Sequence, residues 1–296
     1  MKYFLAICSL IHISLFGYQY TLSIGAMFKN EAPWLKEWIE YHRVIGVEHF
    51  YLYNNDSSDE FRAVLDPYIQ QGIVDLIQWE SIPEHWRDKN PIDWTHDPAT
   101  WIVHWVGYQC GAYDDCMQRS IGVSKWVAIV DIDEFIFPAK GPGEGTGYFK
   151  ELLETLPFQV GSLALLSTNF GTSRVERILD GALMIESLVR RGPEPDMSQS
   201  FVLVNGSVAN NGTTKCLYRP EAARSCYAHY GGLHEGFERR NLSPRDVRLN
   251  HYYTRDREDC RKRRIGQLDV CERYLNAVFD DSMLPFAPLV KKAMEK

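Results

Sequence analysis

The sequence predicts an α/β fold of three layers, α/β/α, around a mostly parallel central sheet. Three observations predict it. From Thr21 to Trp79, short β-branched and aromatic runs alternate with stretches of helical periodicity, the pattern of parallel β-α-β units joined by right-handed crossovers. The run Trp126 to Val130 is apolar at every position, as in a strand buried on both faces. The chain has 296 residues, 45% of them hydrophobic, which suffices for one large core.

Residues 1–17 stand apart. Met1-Lys2 is a short positive start, Tyr3 to Phe16 is mostly apolar with only His12 able to carry charge, and Gly17 can precede a cleavage site. This is the pattern of a secretory signal peptide or short anchor. It falls short of the roughly 20 residues of a membrane span. A first buried strand is the alternative. The expectation is a leader over 1–17, one domain over 18–296, and export or membrane association through the N-terminus, with a cytoplasmic location left open.

Thr21 to Phe28 reads as the first strand. Pro33 opens a helix at a position that tolerates proline. Trp34, Leu35, Trp38, Ile39, His42 and Ile45 recur at helical spacing, and Gly46 follows as a C-terminal glycine. Val47 to Tyr53 is a second strand, Asn54 to Asp59 a polar capping loop, Phe61 to Gln71 a helix stopped by Gly72, and Ile73 to Trp79 a third strand. Residues 80–98 form a Pro/Trp/Asp-rich loop, and Ala99 to Arg119 a long helix with Trp101, Trp105, Tyr108 and Tyr113. After the central strand, Lys140 to Gly147 is glycine-rich without the order of a phosphate-binding P-loop. Tyr148 to Leu156 is a helix, Gly161 to Leu166 a strand, and Ser167 to Gly171 a loop. Ala182 to Arg190 reads equally as helix or strand. Lys215 to Pro220 is a strand entering a turn, Val247 to Tyr253 a strand, and the tail from Arg255 is charged and helical.

The net charge of −7 and pI near 5.7 give no electrostatic case for nucleic acid. Seven cysteines occur; without Cys8 six remain, an even number compatible with an oxidising compartment. Cys110 and Cys116 fall on different faces of one helix, whereas Cys216 and Cys226 flank an apparent hairpin and are the expected pair.

The chemistry concentrates after Val130. If extension continues, Asp131 and Asp133 share one strand face with Ile132 opposite. Two carboxylates at the end of a buried strand repel each other and lose water, so they need compensation. A divalent cation with oxygen ligands is the natural one, Mg²⁺ or Mn²⁺ taking carboxylates together with substrate phosphates. The carboxyl ends of strands are also where open α/β sheets bind ligands. A bare Asp-x-Asp is common, but Phe135-Ile136-Phe137 makes the following segment apolar too, so a solvated turn describes it poorly.

Several segments, in order, resemble glycosyltransferase family 92 and its bacterial family-2-like relatives. They are Lys29-Asn30-Glu31, Trp34-Leu35-Lys36-Glu37-Trp38 with Tyr41-His42, Gly46-Val47, Tyr51 to Asn55 with Ser57 and Asp59, and Trp126 through Asp131-Ile132-Asp133-Glu134-Phe135. Phe170-Gly171, Lys215 with Arg219-Pro220, and Asn250-His251-Tyr252 follow. The resemblance covers roughly residues 21 to 264. It implies a GT-A fold with a nucleotide-sugar-binding half, a metal-binding Asp-x-Asp and an acceptor-binding C-terminal half. It further implies a metal-dependent transferase moving a sugar from a UDP- or GDP-sugar to a glycan or other hydroxyl acceptor.

On that reading Asp131 and Asp133 hold Mn²⁺ or Mg²⁺ against the diphosphate, and His251 is the third protein ligand. Asn30, Glu31, Asn55 and Asp56 lie where base and ribose bind, although turn chemistry accounts for each of them as well. Lys215 offsets phosphate charge or is a solvated lysine. An inverting transferase needs a carboxylate to take the acceptor hydroxyl proton. Glu235, beside Gly231, Gly232 and His234, is the candidate, with Asp196 and Glu134 as rivals. A secreted carbohydrate-binding protein with a degenerate transferase fold would be expected to lack the Asp-x-Asp or His251, and both are present. A two-metal phosphohydrolase would need a second set of His/Asp ligands, which is not apparent.

Overall fold

The alternation read from the first eighty residues becomes strand β1 (Tyr20–Phe28), helix α1 (Ala32–Val44), β2 (His49–Asn54), α2 (Phe61–Gln70) and β3 (Val74–Gln78). Both helices stop where glycine takes the left-handed conformation, Gly46 at φ +101° and Gly72 at φ +70°. The long helix is α3 (Trp101–Ser120), followed by β4 (Ser124–Ile129), β5 (Glu134–Pro138), α4 (Tyr148–Thr155) and β6 (Val160–Asn169). The ambiguous stretch resolves into a short helix α5 (Met184–Ser187) and a two-residue strand β7 (Arg190–Arg191). Then come β8 (Phe201–Val204), β9 (Ser207–Asn210), β10 (Thr214–Tyr218), β11 (Glu238–Asn241), β12 (Val247–His251), α6 (Arg257–Arg263), α7 (Leu268–Leu275), β13 (Val278–Phe279) and α8 (Ala287–Met294). The computed structural model describes residues 17–80, 101–142, 147–194, 201–204, 207–210, 214–227 and 229–296. The apolar segment 1–16, nearly all of the 80–98 loop, and Asp196 lie outside the described residues.

Nine strands form one sheet in the order β3-β2-β1-β4-β10-β6-β12-β5, with β11 also paired to β6. β1 to β4 are mutually parallel, as are β6, β11 and β12. β10 runs antiparallel between β4 and β6, and β12 antiparallel to β5. The sheet is thus mixed but mostly parallel, as expected. Strict alternation sorts its side chains. Leu22, Ile24, Phe50, Leu52, Trp126 and Ala128 face α1 and α2. Met27, Tyr51, Tyr53, Val127 and Ile129 face α3 through Ala112, Tyr113 and Cys116. Helices therefore cover both faces, which gives the three layers.

Two expectations fail. The chain does not stay extended through Asp131 and Asp133. β4 ends at Ile129, and a tight turn closes with the Glu134 N–H donating to the Asp131 carbonyl (3.0 Å). The expected Cys216–Cys226 bridge is absent. None of the six described cysteines is in a disulfide; Cys216 and Cys226 are buried, and the Cys216 thiol donates to the His229 carbonyl instead (3.3 Å). No helix among the described residues is long and apolar enough to cross a membrane.

Candidate active site

The turn after β4 is braced from every side. The Glu134 carboxylate reaches back to accept the Asp131 N–H (2.8 Å). The Trp38 indole on α1 donates to the carbonyls of Asp131 and Glu134 (3.1 and 2.9 Å). The Tyr252 N–H donates to the Asp133 carbonyl (2.8 Å). The turn is polar in sequence yet buried, with Asp133 and Glu134 only 6% and 2% exposed.

The three acids turn in different directions. Asp131 accepts from Lys215 on one oxygen (2.7 Å) and from Gln109 and Tyr113 on the other (3.1 and 3.0 Å). Gln109 and Tyr113 sit four apart on α3, so one helix face delivers both. Lys215 also reaches Glu134 (3.2 Å). Burial alone would strip the Lys215 ammonium of its proton, but Asp131 and Glu134 override it and raise its pKa. Asp133 meets Arg263 of α6 (2.8 Å) and His251 (3.5 Å). Burial would raise its pKa, yet His251 and then Arg263 hold it well below the usual carboxylate range. Glu134 goes the other way, raised by burial and by Asp131 against the pull of Lys215. His251 is raised because Asp133 and Glu134 outweigh its burial. It arrives by strand pairing: β12 returns beside β5 and sets His251 directly opposite Glu134.

The acids open onto a cleft of about 240 Å³ lined by Lys29, Glu31, Gln109, Asp131, Asp133, His251, Arg263 and Arg264, among others. It lies at the carboxyl ends of β1 and β4, where parallel sheets bind ligands. A larger cleft of about 500 Å³, lined by Glu40, Arg43, Glu48 and Lys150, lies at the amino end of β2 and gathers no comparable set of buried acids. Chemistry, not size, selects the smaller one.

Of the expected residues, the structure brings Asp131, Asp133, Lys215, His251 and Glu31 together. Glu31 pairs with Arg255, and burial raises its pKa. Asn30, Asn55 and Asp56 stand at the strand ends but do turn chemistry. The Asn30 side chain accepts the Ser58 N–H (2.8 Å), Asn55 donates to the Trp79 carbonyl (3.0 Å), and Asp56 is exposed at φ +55°. Glu235 is not brought to the cleft. It sits in an exposed turn just before Glu238, which pairs with Val160, whereas His251 pairs with Asn169 at the other end of β6. Nine residues at about 3.3 Å each separate those levels by about 30 Å.

For a divalent cation the donor set fits in part. Asp133 Oδ1 and His251 Nε2 lie 3.5 Å apart, close to the roughly 3 Å between neighbouring ligands of an octahedral ion with bonds near 2.1 Å. Asp131 shares the cleft, but its oxygens are engaged by Lys215, Gln109 and Tyr113. Among the described residues no three His, Cys, Asp or Glu side chains converge on one metal position.

A model of glycosyltransferase family 92 matches residues 18–269. The chain belongs to glycosyltransferase family 92. A family 92 protein of Oryza sativa subsp. japonica is 23% identical over 240 residues, covering 79% of this chain and 33% of that protein. One from Ricinus communis is 29% identical over 114 residues, covering 38% and 16%. The chain thus spans a third or less of the length of these curated relatives. Among solved structures, TarS 1-349 of S. aureus is similar at TM-score 0.37 and 10% identity, over 68% of this chain and 47% of that one. Glucosyl-3-phosphoglycerate synthase from Mycobacterium tuberculosis, in complex with Mn²⁺, UDP and glucosyl-3-phosphoglycerate, is similar at TM-score 0.36 and 13% identity, over 78% and 72%. The remaining family 92 segments have physical roles in this chain. Phe170 packs on Tyr252 (4.8 Å between ring centres), and its N–H donates to the His251 carbonyl (2.7 Å). Arg219 stacks over Trp126 (4.3 Å).

Proposed function

We propose that this family 92 chain transfers a sugar from a UDP- or GDP-sugar to a hydroxyl of a glycan or glycoconjugate, with inversion, in a GT-A-type site that uses Mn²⁺ or Mg²⁺. One observation carries the reading. Asp133 is kept ionised against its burial, beside His251, in a cleft whose rim carries Lys29, Arg263 and Arg264. A buried acid kept charged beside a basic rim suits a cation and a diphosphate together.

Asp133 and His251 would hold the cation. When bound, it supplies neutralisation of charge on the departing nucleoside diphosphate. Lys215 keeps Asp131 oriented at the cleft, Glu134 fixes the turn, and the basic rim draws in the diphosphate. The cleft is smaller than the roughly 300–1,000 Å³ of most ligand pockets, which suits it to the charged part of a donor. The test is UDP or GDP release from a panel of nucleotide sugars with Mn²⁺ or Mg²⁺. Chelation with EDTA should abolish it, and Asp133→Asn should lower turnover by roughly a hundredfold or more while the chain still folds. Full activity after chelation would remove the metal. An unfolded Asp133→Asn variant would make Asp133 structural.

A further inference from the structure

No carboxylate in the described cleft is free to act as the base that the proposed transfer needs. Both oxygens of Asp131 are bonded, Asp133 faces Arg263 and His251, Glu31 faces Arg255, and Glu134 is buried between Lys215 and His251. One basic atom is different. His229 comes from the segment with Gly231, Gly232 and His234, and two contacts fasten it to β10. Its Nδ1 bonds the Thr214 carbonyl (3.1 Å), and its own carbonyl accepts the Cys216 thiol (3.3 Å). A carbonyl can only accept, so Nδ1 carries the proton and Nε2 keeps its lone pair. Nε2 has no hydrogen-bond partner among the described residues, and the side chain is half-buried rather than sealed.

Strand pairing brings this imidazole to the end of β10 nearest the acidic turn. β10 pairs antiparallel with β4, Leu217 opposite Ala128 and Tyr218 opposite Val127. Thr214 precedes Lys215, whose ammonium bonds Asp131 and Glu134 of the turn after β4 (2.7 and 3.2 Å). The ring on the Thr214 carbonyl is therefore one residue along β10 from the lysine that the carboxylate turn engages. The charged groups that act on it are Lys215 on β10, Asp131 after β4 and His251 on β12. Burial and then Lys215 lower its pKa, so the ring is neutral near pH 7.

We propose that His229 is the general base: its Nε2 takes the proton of the acceptor hydroxyl as the sugar is transferred. The acceptor oxygen bonds to the anomeric carbon and the bond from that carbon to the diphosphate oxygen breaks. Its electron pair leaves with the nucleoside diphosphate, and the acceptor proton moves to Nε2 and then to solvent. Water in place of the acceptor gives free sugar by the same steps. The inference rests on the transferase reading and deepens it.

The experiment is nucleotide-sugar hydrolysis by the full chain, read as UDP or GDP release with Mn²⁺. Donor affinity is measured in parallel by calorimetry. His229→Gln and His229→Ala should lose kcat by roughly a hundredfold or more, with donor affinity within about twofold of wild type and the melting temperature retained. Added imidazole should restore part of the His229→Ala rate. Wild-type kcat/KM should fall as pH drops through an ionisation below 6.5, and the variants should lose that limb. Variants that keep kcat, or that lose donor affinity in step with rate, would overturn the base role while leaving the transferase reading intact. A wild type that neither binds nor cleaves any UDP- or GDP-sugar would sink both. Should both variants unfold, the wild type decides alone: a kcat/KM that does not fall as pH drops through an ionisation below 6.5 counts against the proposal.

Discussion

Lys215 is the residue on which the acidic turn depends. It is 1% exposed and lies between two carboxylates. Lys215→Met keeps the length and deletes the charge, leaving Asp131 and Glu134 to face each other without a cation. Removing one partner of a buried ion pair costs about 3–5 kcal/mol. A urea midpoint equal to wild type would show that the acids find another partner. His251→Ala should act differently. Arg263 remains on Asp133, so the fold is kept, while the Mn²⁺ and donor requirement rises by roughly tenfold; calorimetry that finds equal affinities would exclude His251 from the site. That Asp131, Asp133, Lys215 and His251 belong to one charged cluster was legible because type and order are enough to suggest charge chemistry. Gln109 was not, since a polar residue on a long amphipathic helix reads as its solvated side, and Tyr113 read only as a helix aromatic. Glu235 misled because glycines beside an acid look the same in an exposed turn as in a loop that cradles a ligand. Only the pairing of β11 with β6 tells them apart.

α1 does more than fill a layer. Among the described residues β5 lies at the sheet margin, paired only with β12, and α1 supplies partners on its other side. Tyr41 donates to the Ile136 carbonyl (2.8 Å), and the Ile136 N–H donates to His42 Nε2 (3.3 Å). His42 Nδ1 in turn donates to the Trp38 carbonyl (2.8 Å), so the ring must be neutral to serve both neighbours. Burial lowers its pKa to about 3, against an ordinary 6.5. The unfolded chain therefore binds a proton that the folded chain refuses between those values. The stabilising contribution of neutral His42 is complete above about pH 6.5 and is lost as pH falls towards 3. Wild type should lose stability over that window more steeply than His42→Gln, by several kcal/mol in total; parallel curves from denaturant titration at each pH would refute the assignment. The helix and its glycine stop were readable from periodicity. That Trp38, Tyr41 and His42 meet main chain nearly a hundred residues away was not, because spacing gives the buried face of a helix without naming what it meets.

Across the molecule, the first half was legible because its β-α-β units are local and regular, whereas the second half builds its sheet from short strands that cross between β4, β6 and β5. No local pattern encodes the insertion of β10 beside β4 or the return of β12 to β5, and those two pairings deliver Lys215 and His251. The last stretch of chain closes the structure. Met283, Phe286 and Val290 are buried, with Phe286 against Tyr41 and Phe137 (5.4 and 6.1 Å between ring centres). Phe286→Ala should cost about 3–5 kcal/mol. Deleting 283–296 removes three such anchors, comparable with the whole stability of about 5–15 kcal/mol of a folded domain. Near-ultraviolet circular dichroism of the truncated chain should show its fixed aromatic packing gone; an intact spectrum would mean the tail is dispensable.

The covered side of β5 also bears on how the protein behaves at high concentration. An uncovered marginal strand recruits strands from other molecules through its main chain, the first step of edge-to-edge aggregation. At Ile136 both the N–H and the carbonyl are already taken by aromatic side chains, so a neighbouring molecule finds nothing there to pair with. This flank is closed by a tryptophan, a tyrosine and a histidine on a helix rather than by surface charge.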